Sequence, residues 1–255
     1  MAEQICAICG GTGWKIVERA GLSGAEKCGC AASARMQSIR RNTAIPPNYE
    51  DATLDSFKIP QDNPAARAGL GTVLMQVRGF VREFPAADRP GLLLVGDTGT
   101  GKTHLAVAAL KSIVEKGYEG LFFDYQNLLD RIRASFDSAS GSSDREAYRS
   151  ALDAQVLLLD DLGSHRVTDW VEDTVTSIIT YRCNHRKPLI ATTNLPDEDV
   201  TGRVLDYREA GGVAVSRKTL AEVIGLRARS RLFEMCRVIR MPAVEDYRVQ
   251  TRVSR

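Results

Sequence analysis

The segment from residue 96 to residue 103 constrains the fold more than any other part of the chain. It reads Gly-Asp-Thr-Gly-Thr-Gly-Lys-Thr and fits the pattern G-x-x-x-x-G-K-[ST] at every fixed position. A short apolar run at 91–95 precedes it, and helix-forming residues at 104–111 follow. A strand, a glycine-rich turn and a helix start point backbone N–H groups and the positive helix end toward an anion. We therefore predict a nucleoside triphosphate site that comprises Gly96, Asp97, Thr98, Gly99, Thr100, Gly101, Lys102, Thr103 and His104.

Two carboxylates follow a second apolar run. Four apolar residues at 156–159 lead to Asp160 and Asp161, and the carboxyl ends of buried parallel strands meet the ligand crevice of an open α/β sheet. Lys102 would reach the β- and γ-phosphates, while Thr103 and Asp160 would hold Mg²⁺. Asp161 would orient the attacking water. A glutamate is more common than an aspartate at the position of Asp161. Because the aspartate side chain is shorter, we expect slow hydrolysis of ATP.

A third apolar strand is predicted at 188–194 and ends in the polar residues Thr192, Thr193 and Asn194. The amide of Asn194 could bond the γ-phosphate or the attacking water, the role called sensor 1. It could instead cap the turn that begins at Leu195 and Pro196. The order of the elements favours the first role.

Four of the six cysteines lie within the first thirty residues, at Cys6, Cys9, Cys28 and Cys30. A Cys-x-x-Cys pair followed by glycines resembles a zinc knuckle, and a returning hairpin could complete a Cys₄ site. So short a segment has too little core to fold without a staple. Redox-active or unliganded cysteines are the alternatives. We expect the remaining two to be core residues without chemistry, namely Cys183 and Cys236.

The bulk composition is that of an ordinary globular protein, with 255 residues of which 44% are hydrophobic and 26% charged. No apolar run is long enough to cross a bilayer, and the amino terminus lacks a secretory signal, so we expect a cytoplasmic protein without disulfides. Residues 201–255 carry 12 Lys and Arg against 6 Asp and Glu. This excess suits an anionic partner or a subunit interface, although a solvated basic surface is an equal alternative.

The remaining pattern divides the chain into two domains. A basic helix at 31–41 leads to a linker at Ile45-Pro46-Pro47, so we place the domains at 1–45 and 46–255. The serine-rich stretch 135–143 is predicted to be a loop, either a plain surface loop or a contact with nucleic acid or a neighbouring subunit. At 224–235 we predict a helix with Leu226, Leu232 and Phe233 on its apolar face and Arg229 on a solvated face.

The phosphate loop, the aspartate pair, the Thr-Thr-Asn strand and the motif Ser230-Arg231-Leu232 together resemble an AAA+ ATPase. More narrowly, the chain from about residue 45 to residue 240 resembles the DnaC/DnaI-type helicase loaders and the related IstB transposition helpers. This resemblance implies an α/β fold, a P-loop AAA+ domain with a five-stranded parallel sheet between helices. It also implies assembly into a ring or spiral, with ATP and Mg²⁺ at subunit interfaces and single-stranded DNA along the inner face. About fifteen residues follow Arg240, so the helical lid of such domains is expected to be reduced or absent.

The resemblance also implies roles for two arginines. Arg231 would be the arginine finger that completes a neighbouring subunit's site, and Arg227 is a second interface candidate. The amino-terminal Cys₄ zinc domain, residues 1–45, would grip the hexameric replicative helicase. We therefore expect an ATP-dependent loader of the replicative helicase onto single-stranded DNA. The alternatives are an IstB-type regulator of transposition and an ATP-gated adaptor with negligible turnover.

Overall fold

The computed structural model describes residues 6–10, 12–19, 22–85, 88–137, 144–166, 168–197 and 218–247. Most of the serine-rich stretch and much of the basic region that begins at 201 lie outside these residues. Where the stretch is described, at 135–137, it is the last turn of a helix and not a loop. That helix packs through the buried residues Leu128, Leu129 and Ile132, and it ends at Asp137.

A small antiparallel hairpin opens the described chain, formed by β1 (Trp14–Arg19) and β2 (Leu22–Lys27). Helix α1 (Gly29–Asn42) follows, and then a single 3₁₀ turn at Pro47–Tyr49. Helix α2 (Pro64–Glu83) begins with the side chain of Asn63 accepting a hydrogen bond from the Ala66 N–H, and a proline occupies its first turn.

The rest of the chain alternates strands and helices. In order these are β3 (Gly91–Val95), α3 (Lys102–Glu115), β4 (Gly120–Asp124), α4 (Tyr125–Asp137), α5 (Asp144–Asp153) and β5 (Val156–Asp160). They continue with α6 (Asp169–Asn184), β6 (Leu189–Thr193), α7 (Leu220–Ile224), α8 (Leu226–Met235) and β7 (Cys236–Arg240).

The five later strands form one parallel sheet in the order β4-β5-β6-β3-β7. The predicted five-stranded parallel sheet between helices is thus confirmed. After β3 the chain runs to the far edge of the sheet, returns through β5 and β6, and ends on the opposite side of β3. Strand order reverses at β3, and the carboxyl end of such a strand is where open α/β sheets bind ligands.

Helices cover both faces of the sheet. One apolar cluster lies between the sheet and helices α2 and α3, and it includes Val77, Phe80 and Leu110. The second lies between the sheet and helices α4 to α8, and it includes Leu128, Ile179 and Leu232. All five residues of β3, β5 and β6 are buried. Burial on both sides explains why these strands read as continuous apolar runs.

The end of α1 packs on the larger domain. Ile39 and Thr43 are buried, and the Phe122 N–H donates to the Thr43 carbonyl at 2.8 Å. On the surface, Arg40 pairs with Glu115 of α3 at 3.3 Å. The prolines at 46 and 47 therefore lie within a stretch whose two flanks both contact the sheet domain.

Helix α8 differs from its predicted form. Gly225, at φ +82°, separates it from α7, so the stretch is two helices and not one. The break turns the start of α8 outward, which leaves Leu226 74% exposed. The buried face is instead Ala228, Leu232 and Met235, at the spacing of a helix beginning after the glycine. The predicted apolar role of Leu226 is therefore wrong.

The other predicted core features are present. Cys236 is buried at the start of β7 and Cys183 is half-buried, as expected for cysteines without chemistry. Among the helices that the structure describes, none is long and apolar enough to cross a membrane.

Candidate functional site

The phosphate loop lies at the carboxyl end of β3, where the strand order reverses. Two of its glycines adopt positive φ angles, Gly99 at +76° and Gly101 at +90°, and Gly101 directly precedes helix α3. Left-handed backbone favours glycine, so these angles explain why the sequence has glycine there. The N–H groups that begin α3 are left for a bound anion.

Lys102 and Thr100 are buried inside this loop. The Lys102 ammonium donates to the Asp97 carbonyl at 2.8 Å, and the Thr100 hydroxyl donates to the same oxygen at 2.8 Å. These two bonds fold the loop around a positively charged group. A buried cation beside a helix amino terminus is suited to phosphate oxygens.

Asp160 ends β5 next to the phosphate loop. Its carboxylate is buried and accepts a hydrogen bond from the Thr192 hydroxyl at 2.7 Å. Burial raises the pKa of the Asp160 carboxyl above its ordinary value, while hydrogen bonds from Thr192 and Thr103 oppose that rise. The carboxylate of Asp160 and the hydroxyl of Thr103 are both oxygen ligands of the kind that Mg²⁺ binds.

Asp161 adopts a strained backbone conformation, with φ at +54°. Its N–H donates to the Thr192 hydroxyl at 2.9 Å, and its carboxylate accepts from the Asn194 amide at 3.2 Å. A non-glycine residue held in this region costs about 1–3 kcal/mol and persists where its surroundings fix it, often at functional sites. The strain turns the side chain toward the cavity that the phosphate loop lines.

Asn194 lines the same cavity. Its alternative role, capping the turn after β6, is performed by Thr193, whose hydroxyl accepts from the Leu195 N–H at 3.1 Å. The amide of Asn194 is thus directed at Asp161 and not at its own turn. The structure brings the predicted residues of the phosphate loop, Asp161 and Asn194 together around one space.

His104 lies at the rim of the cavity, and its side chain faces the preceding segment. Its Nε2 atom lies 2.9 Å from the Thr53 carbonyl oxygen and 3.3 Å from the Ser56 hydroxyl, and its ring lies 5.6 Å from that of Phe57. The side chain therefore ties the segment before α2 to the phosphate loop, and the backbone N–H is the group left to face phosphate.

The cavity has a volume of about 350 Å³, within the range of small-molecule sites. Sequence reasoning missed the residues outside the motifs that line it. No motif marks them, since they meet the phosphate loop only in the folded chain. They are Asn48, Tyr49, Ser56, Phe57, Lys58, Pro60, Leu70, Val244, Glu245 and Tyr247.

The arginines of α8 lie away from this cavity. None of the described residues that line it belongs to α8, so the structure does not bring Arg231 or Arg227 to the chain's own site. Arg231 is 42% exposed and pairs with Glu234 at 2.7 Å. An exposed arginine remote from its own site is compatible with a role in a neighbouring subunit.

Arg229 is not on a solvated face, so that expectation is wrong. Its guanidinium donates two hydrogen bonds to the buried carboxylate of Asp197, at 2.5 and 2.9 Å, and packs 4.7 Å from the Phe233 ring. Asp197 lies three residues after Asn194, so this pair joins the loop after β6 to helix α8. The motif gave no signal for it, because Asp197 reads as an ordinary turn residue.

The four amino-terminal cysteines converge. Their sulfur atoms all lie within 4.8 Å of one another, with Cys6 and Cys28 at 3.9 Å and Cys9 and Cys30 at 3.2 Å. In a tetrahedral site with Zn–S bonds of about 2.3 Å the sulfurs are roughly 3.8 Å apart, close to these distances. The Gly13 N–H points at the Cys9 sulfur at 3.4 Å.

The pKa values of two thiols in this cluster are shifted in opposite directions. Backbone N–H groups of Ile8 and Cys9 lower the pKa of the Cys6 thiol, whereas the neighbouring Cys9 and Cys28 raise that of Cys30. Four thiolates this close repel one another unless a cation lies between them. The donor set therefore fits a thiophilic dication, and a metal-binding cluster at the amino terminus is the arrangement that the sequence predicted.

The geometry can be set beside known proteins. The chain is 35% identical to a protein whose crystal structure is that of the DnaC helicase loader. That similarity covers 77% of this chain and 100% of the other, with a TM-score of 0.60. The chain belongs to the family of DnaC-type helicase loaders. It is thereby an AAA+ ATPase, and the IstB-like ATP binding protein family also matches residues 81–207.

Other relatives of this DnaC-type chain are more distant. The replicative helicase loader DnaC of Escherichia coli is 22% identical over 181 residues, which is 69% of this chain and 71% of that protein. YqaM of Bacillus subtilis is 24% identical to this chain over 218 residues. The match to YqaM covers 83% of this chain but only 61% of YqaM.

Proposed function

We propose that this protein is an ATP-dependent loader of the replicative DNA helicase onto single-stranded DNA. The observation that carries the proposal is the similarity to the DnaC helicase loader along that chain's whole length. Residues 98–104 of the phosphate loop, Asp161 and Asn194 line one cavity, and these residues support an ATP-driven role for the protein.

The residues of the cavity divide the chemistry among them. Lys102 and the N–H groups of the loop would bind the β- and γ-phosphates, and Thr103 and Asp160 would hold Mg²⁺, which would supply positive charge beside the phosphates. Asp161 and Asn194 orient the attacking water, since they share a hydrogen bond and face the same space. Arg231 of one subunit completes the site of the next in a ring or spiral, with Arg227 as a second interface arginine.

The cysteine cluster has a separate task in this proposal. Zn²⁺ held by Cys6, Cys9, Cys28 and Cys30 keeps residues 1–45 folded, so that this domain can grip the hexameric helicase. The sulfur distances and the exposed apolar side chains of the hairpin, Trp14 and Ile16, support such a role. The ring of ATPase domains then contacts the phosphate backbone of the DNA, which carries no base information.

A second candidate is an IstB-type ATPase that regulates transposition, and the match of that family to residues 81–207 favours it. A third is an ATP-gated adaptor with negligible turnover, which the short side chain of Asp161 favours. The three candidate functions differ in the partner that they require and in whether they require ATP hydrolysis. A loader requires both a helicase and nucleotide, a transposition regulator requires a transposase, and an adaptor requires binding without hydrolysis.

A loading assay on closed circular single-stranded DNA tests the leading proposal. The full chain, the host's hexameric helicase, ATP and Mg²⁺ should yield helicase that stays on the circle during gel filtration. Lys102→Ala should abolish that loading, while the conservative change Lys111→Arg, outside the cavity, should leave it intact. Equal helicase retention with and without the wild-type protein would contradict the proposal.

A further inference from the structure

Residues 241–247, which follow β7 and which we call the strap, run along the phosphate loop. At one end the Met241 N–H donates to the Val95 carbonyl at 2.7 Å. At the other end the Tyr247 N–H donates to the Gly99 carbonyl at 3.3 Å. The strap is therefore fixed at both ends to the strand and loop that form the nucleotide site.

Three glycines lie close to the strap. A Cβ atom on Gly69 of α2 would lie 2.9 Å from Pro242, and one on Gly96 would lie 2.6 Å from Met241. A Cβ atom on Gly99 would lie 2.1 Å from the Asp246 carboxyl group. The first two separations are shorter than atoms tolerate, so close packing of the strap depends on glycine at positions 69 and 96. The Asp246 carboxyl group ends a flexible side chain and can move away from a Cβ atom at position 99.

The strap and the segment before α2 both line the cavity. Val244 is half-buried and packs against the apolar cluster beneath α2 and α3, whereas Tyr247 is 41% exposed beside the cavity. Further apolar and aromatic lining residues come from the segment before α2 and from α2 itself, namely Tyr49, Phe57, Pro60 and Leu70.

The charges of the cavity orient a nucleotide within it. Phosphates are drawn to Lys102 and the start of α3, and the carboxylate of Glu245, which lines the cavity, disfavours them beside the strap. An uncharged aromatic base suits the strap side, because base–aromatic stacking gains free energy there. This assignment rests on the proposed binding of ATP.

We infer that the strap is a wall of the nucleotide site, with Tyr247 and Val244 packing against the base and ribose of bound ATP. The phosphate loop supplies affinity for the triphosphate, and the strap supplies affinity for the nucleoside. Tyr247 is a binding residue in this assignment and takes no part in the hydrolysis step.

Competition titrations with a fluorescent ATP analogue and Mg²⁺ test the inference on the full chain. Tyr247→Ala should weaken ATP binding about 10-fold, raise the KM for ATP to the same degree and leave kcat unchanged. Its affinity for inorganic tripolyphosphate, which lacks a base, should equal that of the wild type. Tyr247→Phe should restore ATP binding, and Met75→Ala, which removes an exposed apolar side chain outside the cavity, should have no effect.

Three results overturn the inference. An unchanged ATP affinity in Tyr247→Ala would remove the strap from the site. A tighter affinity for both ligands would make the strap an obstruction and not a wall. An equal loss for ATP and tripolyphosphate would assign it to the phosphates. Failure of the underlying function is separately visible, since wild type would then bind ATP no better than Lys102→Ala.

Discussion

The sheet domain and the amino-terminal cysteine region are stabilised in opposite ways. The sheet domain buries apolar clusters on both faces of five strands. Among the described side chains of residues 6–30, only Cys28 is buried, and Trp14 and Ile16 are 52% and 82% exposed. The sheet domain therefore has an apolar core, whereas the cysteine region has four converging sulfur atoms instead of an apolar core. We therefore predict that the stabilities of the two regions are separable and that the stability of the sheet domain does not depend on metal.

Metal removal should have the largest effect, and it should be confined to one region. The chain has two tryptophans, Trp14 on β1 and Trp170 on α6, so single-tryptophan variants report each region separately. Zinc binding by small domains is worth about 10 kcal/mol or more of folding free energy. We expect a chelator, or Cys28→Ser, to shift the emission of Trp14 and leave that of Trp170 unchanged. Cys183→Ser, a cysteine outside the cluster, is the control, and a concurrent change at Trp170 would show that the regions fold as one.

A substitution at Arg182 should instead destabilise the sheet domain. This arginine is buried, and its guanidinium donates to five backbone carbonyls in α5, in the turn after it and at the residue before β6. Burial lowers the pKa of Arg182 to about 10, so it remains charged at neutral pH. Arg182→Met should destabilise the sheet domain by about 3–5 kcal/mol, because the carbonyls lose a charged donor. Urea unfolding followed at Trp170 measures this, with the exposed Arg67→Met as control and an equal midpoint as the contradicting result.

Asp161 should affect catalysis and not stability. Asparagine tolerates the left-handed backbone and keeps a hydrogen bond to Asn194, but it lacks the charge that polarises water. Asp161→Asn should lower the steady-state rate of ATP hydrolysis about 100-fold, with ATP affinity and melting temperature close to wild type. The exposed Asp169→Asn serves as the matched control. Undiminished turnover in Asp161→Asn would remove Asp161 from the role of orienting the water.

The smallest of these effects compares two ion pairs on α8. Asp197 is buried and bonds Arg229 through two oxygens, whereas the Arg231–Glu234 pair is exposed. A double-mutant cycle with alanine should give a coupling free energy of about 2 kcal/mol for Asp197 and Arg229. For Arg231 and Glu234 we expect about 0.3–0.5 kcal/mol. Equal coupling energies would mean that burial does not distinguish the pairs.

Local patterns predicted the buried strands and the convergence of the motif residues, whereas the five-stranded sheet followed from the family resemblance. The runs at 91–95 and 156–159 are apolar throughout, and such runs end at the ligand crevice of a parallel sheet. The cysteine spacing likewise predicted a four-sulfur cluster. The strands and the cysteine cluster could be predicted because each is determined by residues that are close together in the sequence.

The sequence could not predict features that depend on distant packing. Arg229 meets Asp197 only because α8 folds back on the loop after β6, and the break at Gly225 decides which side of α8 is buried. The strap meets the phosphate loop only after β7 has paired with β3. The residue pattern of the strap does not indicate that it contacts the phosphate loop, and the pattern of the loop does not indicate that it contacts the strap.

Helicase capture by the full chain, measured alongside ATP affinity with zinc present and after chelation, tests the account most directly. We predict that chelation abolishes capture of the hexameric helicase while the dissociation constant for ATP stays within about twofold, a difference below 1 kcal/mol. Capture that persists after verified loss of the metal, or ATP affinity that falls with it, would contradict the separation of a metal-held partner domain from a self-sufficient ATPase.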